Sequence, residues 1–157
     1  MQLQPPTMNT LQVRKYLQSL VPTVHHVGVY AADLLPTPVQ PSTALIVNLD
    51  PHTERGSHWV AFYMAPEGRH LEYFDSYGRP PHLALFQSFL RKNRLPYAYN
   101  RHALQGLDTS ICAHYCLGFL YCRSLGLTLQ DFVQLFGDSA AQNDVLMYNL
   151  FTLMYRN

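Results

Sequence analysis

Cysteine is scarce in this chain: three residues, Cys112, Cys116 and Cys122, with none ahead of position 112. An odd number confined to one short stretch leaves no disulfide framework to expect and points to a reducing, intracellular compartment. Charge is scarce too. Only 13% of the 157 residues are charged, 11 basic against 10 acidic, and a formal net charge of +1 offers no bulk attraction to nucleic acid. No apolar run reaches the roughly 18 residues that suggest a bilayer span. Met1-Gln2-Leu3-Gln4-Pro5-Pro6 lacks the charged start and apolar middle of a secretory leader. The expectation is a soluble, unsecreted protein with no membrane partner.

What the chain does have is core-forming material: 48% of its residues are hydrophobic, enough at this length for one domain and too little for two. Residues 1–8 are Pro-rich and polar and read as a flexible arm; 9–157 read as a single domain without repeat or linker. Asn9 or Thr10 can cap a helix through about Leu20 with a stripe of Leu11, Val13, Tyr16, Leu17 and Leu20. From His25 to Ser42, three prolines and little periodicity predict irregular structure, Val27-Gly28-Val29-Tyr30 included. Strands follow at 44–49, 58–64 and 71–75, the last two as a hairpin. A helix over 81–93 carries Leu83, Leu85, Phe86, Phe89 and Leu90, and 96–100 reads as another strand. An apolar helix starts at Cys112, a short one runs from Leu129 to Phe136, and a last one from about Ala140 to Tyr155 presents Leu146, Met147, Leu150, Leu153 and Met154. This order is that of an α+β domain.

The chemistry gathers around Cys112. A polar loop beginning at Gln105 ends there, so the thiol sits in the first turn of the apolar helix, where unpaired N–H groups and the helix dipole favour a thiolate and can also hold an oxyanion. His58, at the start of a strand, is the candidate general base, and Asp75, at the end of its hairpin partner, the candidate orienting carboxylate. Glu72 is an alternative orienter, although strand alternation puts it on the face opposite Asp75. Cys116 and Cys122 lie further along the helix, away from its positive end, and read as buried cysteines. A zinc site from Cys112, Cys116, His114 and a distant histidine would lack a paired fourth-ligand motif. Gln105-Gly106 alone reads as a turn.

Taken together, Gly56-Ser57-His58-Trp59-Val60-Ala61-Phe62, then Tyr73-Phe74-Asp75-Ser76-Tyr77-Gly78, then Gln105-Gly106 ahead of Ser110-Ile111-Cys112, resemble the adenovirus-type cysteine endopeptidases (adenain-like) and their relatives in Maverick/Polinton elements and other DNA viruses. The Gly-x-Tyr segment at Gly28 to Tyr30 extends the likeness toward the N-terminus, and it fades beyond Phe119. The wider clan includes SUMO-processing proteases, where the Gln-to-Cys interval is usually one residue shorter than the one from Gln105 to Cys112.

The resemblance implies a papain-like cysteine-protease core of the adenain/SUMO-protease type, a mixed sheet flanked by helices. It implies a Cys112–His58–Asp75 triad, with the Gln105 amide and the Cys112 N–H as oxyanion donors, and no metal or organic cofactor. The implied substrates are viral precursor proteins cut during particle maturation, in the host nucleus or the virion. Deconjugation of ubiquitin-like modifiers and a catalytically inactive peptide-binding domain are the alternatives. Two departures stand out. Ala113 replaces the glycine usual after the nucleophile and could narrow the approach of substrate or tighten the helix start. The lack of an upstream cysteine removes the disulfide by which adenovirus enzymes hold their activating viral peptide, and the net charge of +1 gives little support to activation by DNA.

Overall fold

The computed structural model describes residues 7–54 and 57–156. Gly56, first residue of the motif ahead of His58, lies outside them, as do residues 1–6 of the expected arm; Met8, at the arm's end, is buried in the core. In chain order the elements are α1 (Thr10–Leu20), β1 (His26–Ala31), a 3-10 turn (Ala32–Leu34), β2 (Thr43–Asn48), β3 (Trp59–Met64), β4 (Leu71–Phe74), α2 (Ala84–Asn93), β5 (Tyr97–Tyr99), α3 (Cys112–Ser124), α4 (Leu129–Val133) and α5 (Ala140–Arg156).

The strands form one mixed five-stranded sheet in sequence order. β2, β3 and β4 are antiparallel, and β1 and β5 join parallel at the two edges. β2 and β3 are buried on both faces, which is why they read as unbroken apolar runs. Alternation sorts their side chains. Ala44, Ile46, Trp59, Ala61 and Tyr63 face a core built with α1, α3 and α5. Leu45, Val47, Val60, Phe62 and Met64 face a second core closed by Phe86, Phe89 and Leu90 of α2. The expected α+β architecture, a mixed sheet with helices on both faces, is the one observed.

The structure corrects the reading of several segments. His26–Ala31 is a strand, not irregular chain; it pairs with β2 from His26↔Thr43 to Ala31↔Asn48. Its signal was weak because it is a half-buried edge strand containing Gly28, whose missing side chain leaves room for the Tyr30 ring, 2.4 Å from where a Cβ would stand. α4 ends at Val133; Leu135 and Phe136 then close i→i+3 turns on the carbonyls of Phe132 and Val133. Leu11 and Leu85 are exposed rather than part of their stripes, and so are Leu146 and Leu153 on α5. The buried residues of α5 are Asn143, Asp144, Phe151 and the expected Met147, with the expected Leu150 and Met154 packed against the same core.

α3 runs through the centre, packed against β2, β3, α1, α4 and α5. Cys112 to Leu120 are all buried. A helix enclosed on every side has apolar residues all round it, which explains why this run lacks a polar stripe.

Candidate active site

Three chain ends converge at one end of the sheet. Antiparallel pairing of β3 and β4 brings His58, just ahead of β3, beside Asp75, just after β4, and the N-terminus of α3 abuts the same rim. His58 Nε2 lies 2.8 Å from Asp75 Oδ1, with both side chains buried. Because Asp75 occupies Nε2, Nδ1 is the ring nitrogen left for Cys112. Burial works against a charge on His58, but hydrogen bonds to Asp75 and Cys112 outweigh it, with the negative charges of those groups behind them, and its pKa rises from 6.5 to about 9. Its surroundings thus favour the imidazolium over the neutral ring.

Cys112 is the first residue of α3, and its cap position, Ile111, supplies no side-chain acceptor, so the first-turn N–H groups have no capping side chain from that position. The Trp59 backbone N–H donates to Cys112 Sγ at 3.5 Å. Both features favour negative charge on sulfur. The other thiols have different surroundings. Cys116 is fully buried, donates to the Trp59 carbonyl at 3.4 Å, and has its pKa raised by burial; Cys122, half-buried, is raised for the same first reason. All three cysteines are free. His114 packs edge-on against Phe151 of α5, away from the cleft, and burial lowers its pKa to about 4.

The remaining parts come from one turn, Asp75-Ser76-Tyr77-Gly78. Asp75 Oδ1 also accepts the Tyr77 N–H at 2.9 Å, and the Tyr77 ring stacks on His58 with centroids 4.7 Å apart and planes 17° from parallel. The Ser76 hydroxyl donates to Gln105 Oε1 at 2.6 Å, while the Ser76 carbonyl accepts the N–H groups of Leu104 and Gln105. Gly78 closes the turn at φ +70°, and a Cβ there would lie 2.6 Å from the His102 backbone carbon. Asn100, just after β5, accepts the Asp75 N–H at 3.0 Å and donates to the Asp75 carbonyl at 2.6 Å. The turn thus orients the imidazole, covers one of its faces and anchors the Gln105 loop.

Gln105 shares the cleft wall with Cys112, yet its amide nitrogen is turned along its own loop, donating to the Thr109 carbonyl at 3.0 Å and the Thr109 hydroxyl at 3.3 Å. Glu72, the alternative orienter, is held elsewhere, 2.7 Å from Arg123 Nε. Ala113 is buried in the core and is not among the residues that line the cavity over Cys112. A cavity of about 810 Å³ opens above Cys112, His58, Trp59 and Tyr77 and extends past Asn48 and Tyr30 to Arg14 of α1. Among the described residues, no group of three or more His, Cys, Asp or Glu side chains could hold a metal ion, and no helix is long and apolar enough to cross a membrane.

Sequence reasoning did not find Tyr77, Asn100 or Thr109. Tyr77 stood in plain view two residues after Asp75, but only the hairpin geometry lays its ring on His58. Asn100 and Thr109 lay within a strand and a loop, with no pattern to mark them.

Neither the protein-family models nor the curated proteins include a match to this chain. Solved structures do match. ChlaDub1 from Chlamydia trachomatis superposes with a TM-score of 0.63 at 14% identity, covering 98% of this chain and 92% of that one. The SUMO protease Ulp1, solved with its catalytic cysteine oxidised to a sulfinic acid, gives a TM-score of 0.54 at 10% identity, covering 94% and 78%. The ASFV pS273R protease gives 0.48 at 21% identity over 70% of this chain, which spans only 42% of that protease. The first two likenesses establish a SUMO-protease-like fold.

Proposed function

We propose that this protein is a cysteine endopeptidase. The observation that carries the reading is the convergence of a buried His58–Asp75 pair on a thiol at the open N-terminus of a buried helix. His58 takes the Cys112 proton, and the resulting thiolate attacks the scissile carbonyl carbon. The tetrahedral oxyanion accepts hydrogen bonds from the Cys112 N–H and from one hydrogen of Gln105 Nε2, while the other stays on Thr109 and holds the amide in place. His58 then protonates the departing amine. Water, deprotonated by His58, attacks the thioester, releasing the carboxylate product and restoring the thiol.

The seven positions from Gln105 to Cys112 and the flanking motifs favour the adenovirus-type branch. In that reading the substrates are viral precursor proteins cut near small residues such as glycine, in the host nucleus or the virion. An activating peptide would act without a disulfide, and DNA would be at most an auxiliary activator. Ulp1 is a SUMO protease, and the near full-length match to ChlaDub1 supports a second reading, removal of a ubiquitin-like tail. The test is hydrolysis of glycine-containing viral-type peptides against fusions ending in a ubiquitin-like Gly-Gly tail, each with and without DNA. The proposal predicts peptide cleavage abolished by Cys112→Ala. Cleavage of the tail fusions alone would move the assignment to deconjugation, and no Cys112-dependent cleavage of either would refute it.

A further inference from the structure

We infer that Asp144 of α5 is a positioning residue for Gln105, acting through Thr109; the catalytic part of this inference rests on the proposed peptidase reading. The loop that carries Gln105 is gripped from α5 by two adjacent buried polar residues. Asn143 donates to the Leu104 carbonyl at 3.2 Å. The Asp144 carboxylate collects three donors: the Gly106 N–H at 3.1 Å, the Thr109 hydroxyl at 3.0 Å and the Tyr115 hydroxyl at 2.8 Å. Gly106 is shaped for this approach, since a Cβ there would stand 3.0 Å from Asp144 Oδ2.

The Gln105 amide nitrogen meets two acceptors of Thr109, the backbone carbonyl at 3.0 Å, which can only accept, and the hydroxyl at 3.3 Å. Asp144 acts by holding the Thr109 turn that presents them both. The Thr109 hydroxyl has one proton and two acceptors in reach, Asp144 at 3.0 Å and the Gly106 carbonyl at 3.1 Å. A carboxylate is the stronger acceptor, so the proton goes to Asp144 and the oxygen's lone pairs are left for Gln105 Nε2. At the other end of the amide, Ser76 donates to Oε1. Nitrogen toward Thr109 and oxygen toward Ser76 is thus the only arrangement with every contact matched. Asp144→Asn keeps the volume but leaves one acceptor oxygen facing three donors, so the loop must release at least one of them.

The test uses the whole chain and two readouts. In ¹H–¹⁵N spectra the side-chain amide pair of Gln105 is identified by its loss in Gln105→Ala. The inference predicts that Asp144→Asn shifts or broadens that pair and leaves the His58 ring signals in place, that Thr109→Val does the same, and that Thr109→Ser restores the wild-type signal. In peptide hydrolysis, Asp144→Asn lowers kcat at least about tenfold with KM little changed. Gln105→Ala/Asp144→Asn together are no slower than Gln105→Ala alone. A Gln105 amide unmoved in both Asp144→Asn and Thr109→Val, or rate losses that multiply in the double variant, would overturn it. Should Asp144→Asn not fold, Thr109→Val and its serine rescue decide. Absence of turnover in wild type would refute the peptidase reading and leave the spectroscopic result to judge the positioning role by itself.

Discussion

Asp75 has a double task at the residue scale, because the same oxygen that faces His58 Nε2 also accepts the Tyr77 N–H. A carboxylate held in this way cannot swing off the imidazole without releasing the turn that covers it. Its hydrogen bond is the largest of the effects that raise the pKa of His58, and its charge adds the smallest. Asp75→Ala should therefore let burial prevail and bring the His58 pKa down by about 1–3 units. The proton needed by the leaving amine would then be lost at lower pH. For wild type, kcat/KM is expected to hold up to about pH 9 and then fall; in Asp75→Ala the alkaline limb moves toward neutrality. A pH–rate profile of the two proteins checks this, and an unmoved limb would mean that Asp75 does not set the charge on His58. His58, Asp75 and Cys112 were legible in sequence because each borders an element with a clear apolar pattern. Asp144 was not, because its partners lie 29 to 38 positions away, and a lone acid on a mostly apolar helix gives no sign of which loop it will meet.

At the scale of elements, the edge strands matter more than their length suggests. β5 is only Tyr97–Tyr99, but its parallel register with β4, Leu71↔Tyr97 to Tyr73↔Tyr99, delivers Asn100 to the backbone of Asp75. Asn100→Ala would leave a buried N–H and a buried carbonyl without their side-chain partner, at a cost of about 1–3 kcal/mol, and would loosen the orientation of His58. The expected outcome is a lower unfolding midpoint together with reduced kcat, read by denaturant titration and by peptide hydrolysis. Loss of stability with kcat intact would confine Asn100 to a structural role. Elements with strong periodicity or apolar runs, α1, β2, β3 and α3, were readable almost to the residue. β1 was missed because its partner is a strand distant in sequence and its own residues are half-exposed, so the pairing that stabilises it leaves no local trace. The inward face of α5 was read only in part, Met147, Leu150 and Met154 packing on the core while Asn143 and Asp144 were missed, because polar residues in a core contradict the pattern by which a buried face is recognised.

At the scale of the whole molecule, two buried histidines give stability an optimum. His58 has a folded pKa raised from 6.5 to about 9, so its contribution is fully present below 6.5 and is lost as pH rises through 9. His114 has a folded pKa lowered from 6.5 to about 4, so its contribution is present above 6.5 and is lost as pH falls toward 4. Taken together these place the maximum contribution of the pair near pH 6.5, with a decline on each side. Denaturant titrations across this range should show His114→Phe flattening the acid slope and His58→Ala the alkaline one; slopes that do not respond would contradict the burial and pairing assigned to these rings.

The most direct test of the central claim, that His58 and the helix terminus make Cys112 an activated thiolate, is site-resolved alkylation by iodoacetamide near ~pH 6, where an ordinary thiol with a pKa of about 8.5 is almost wholly protonated. Labelling would be mapped by mass spectrometry in wild type and His58→Ala, with and without DNA. The account predicts fast labelling of Cys112 alone in wild type, lost in His58→Ala, with Cys116 and Cys122 slow throughout. Uniformly slow labelling of all three cysteines in both proteins under both conditions would contradict it.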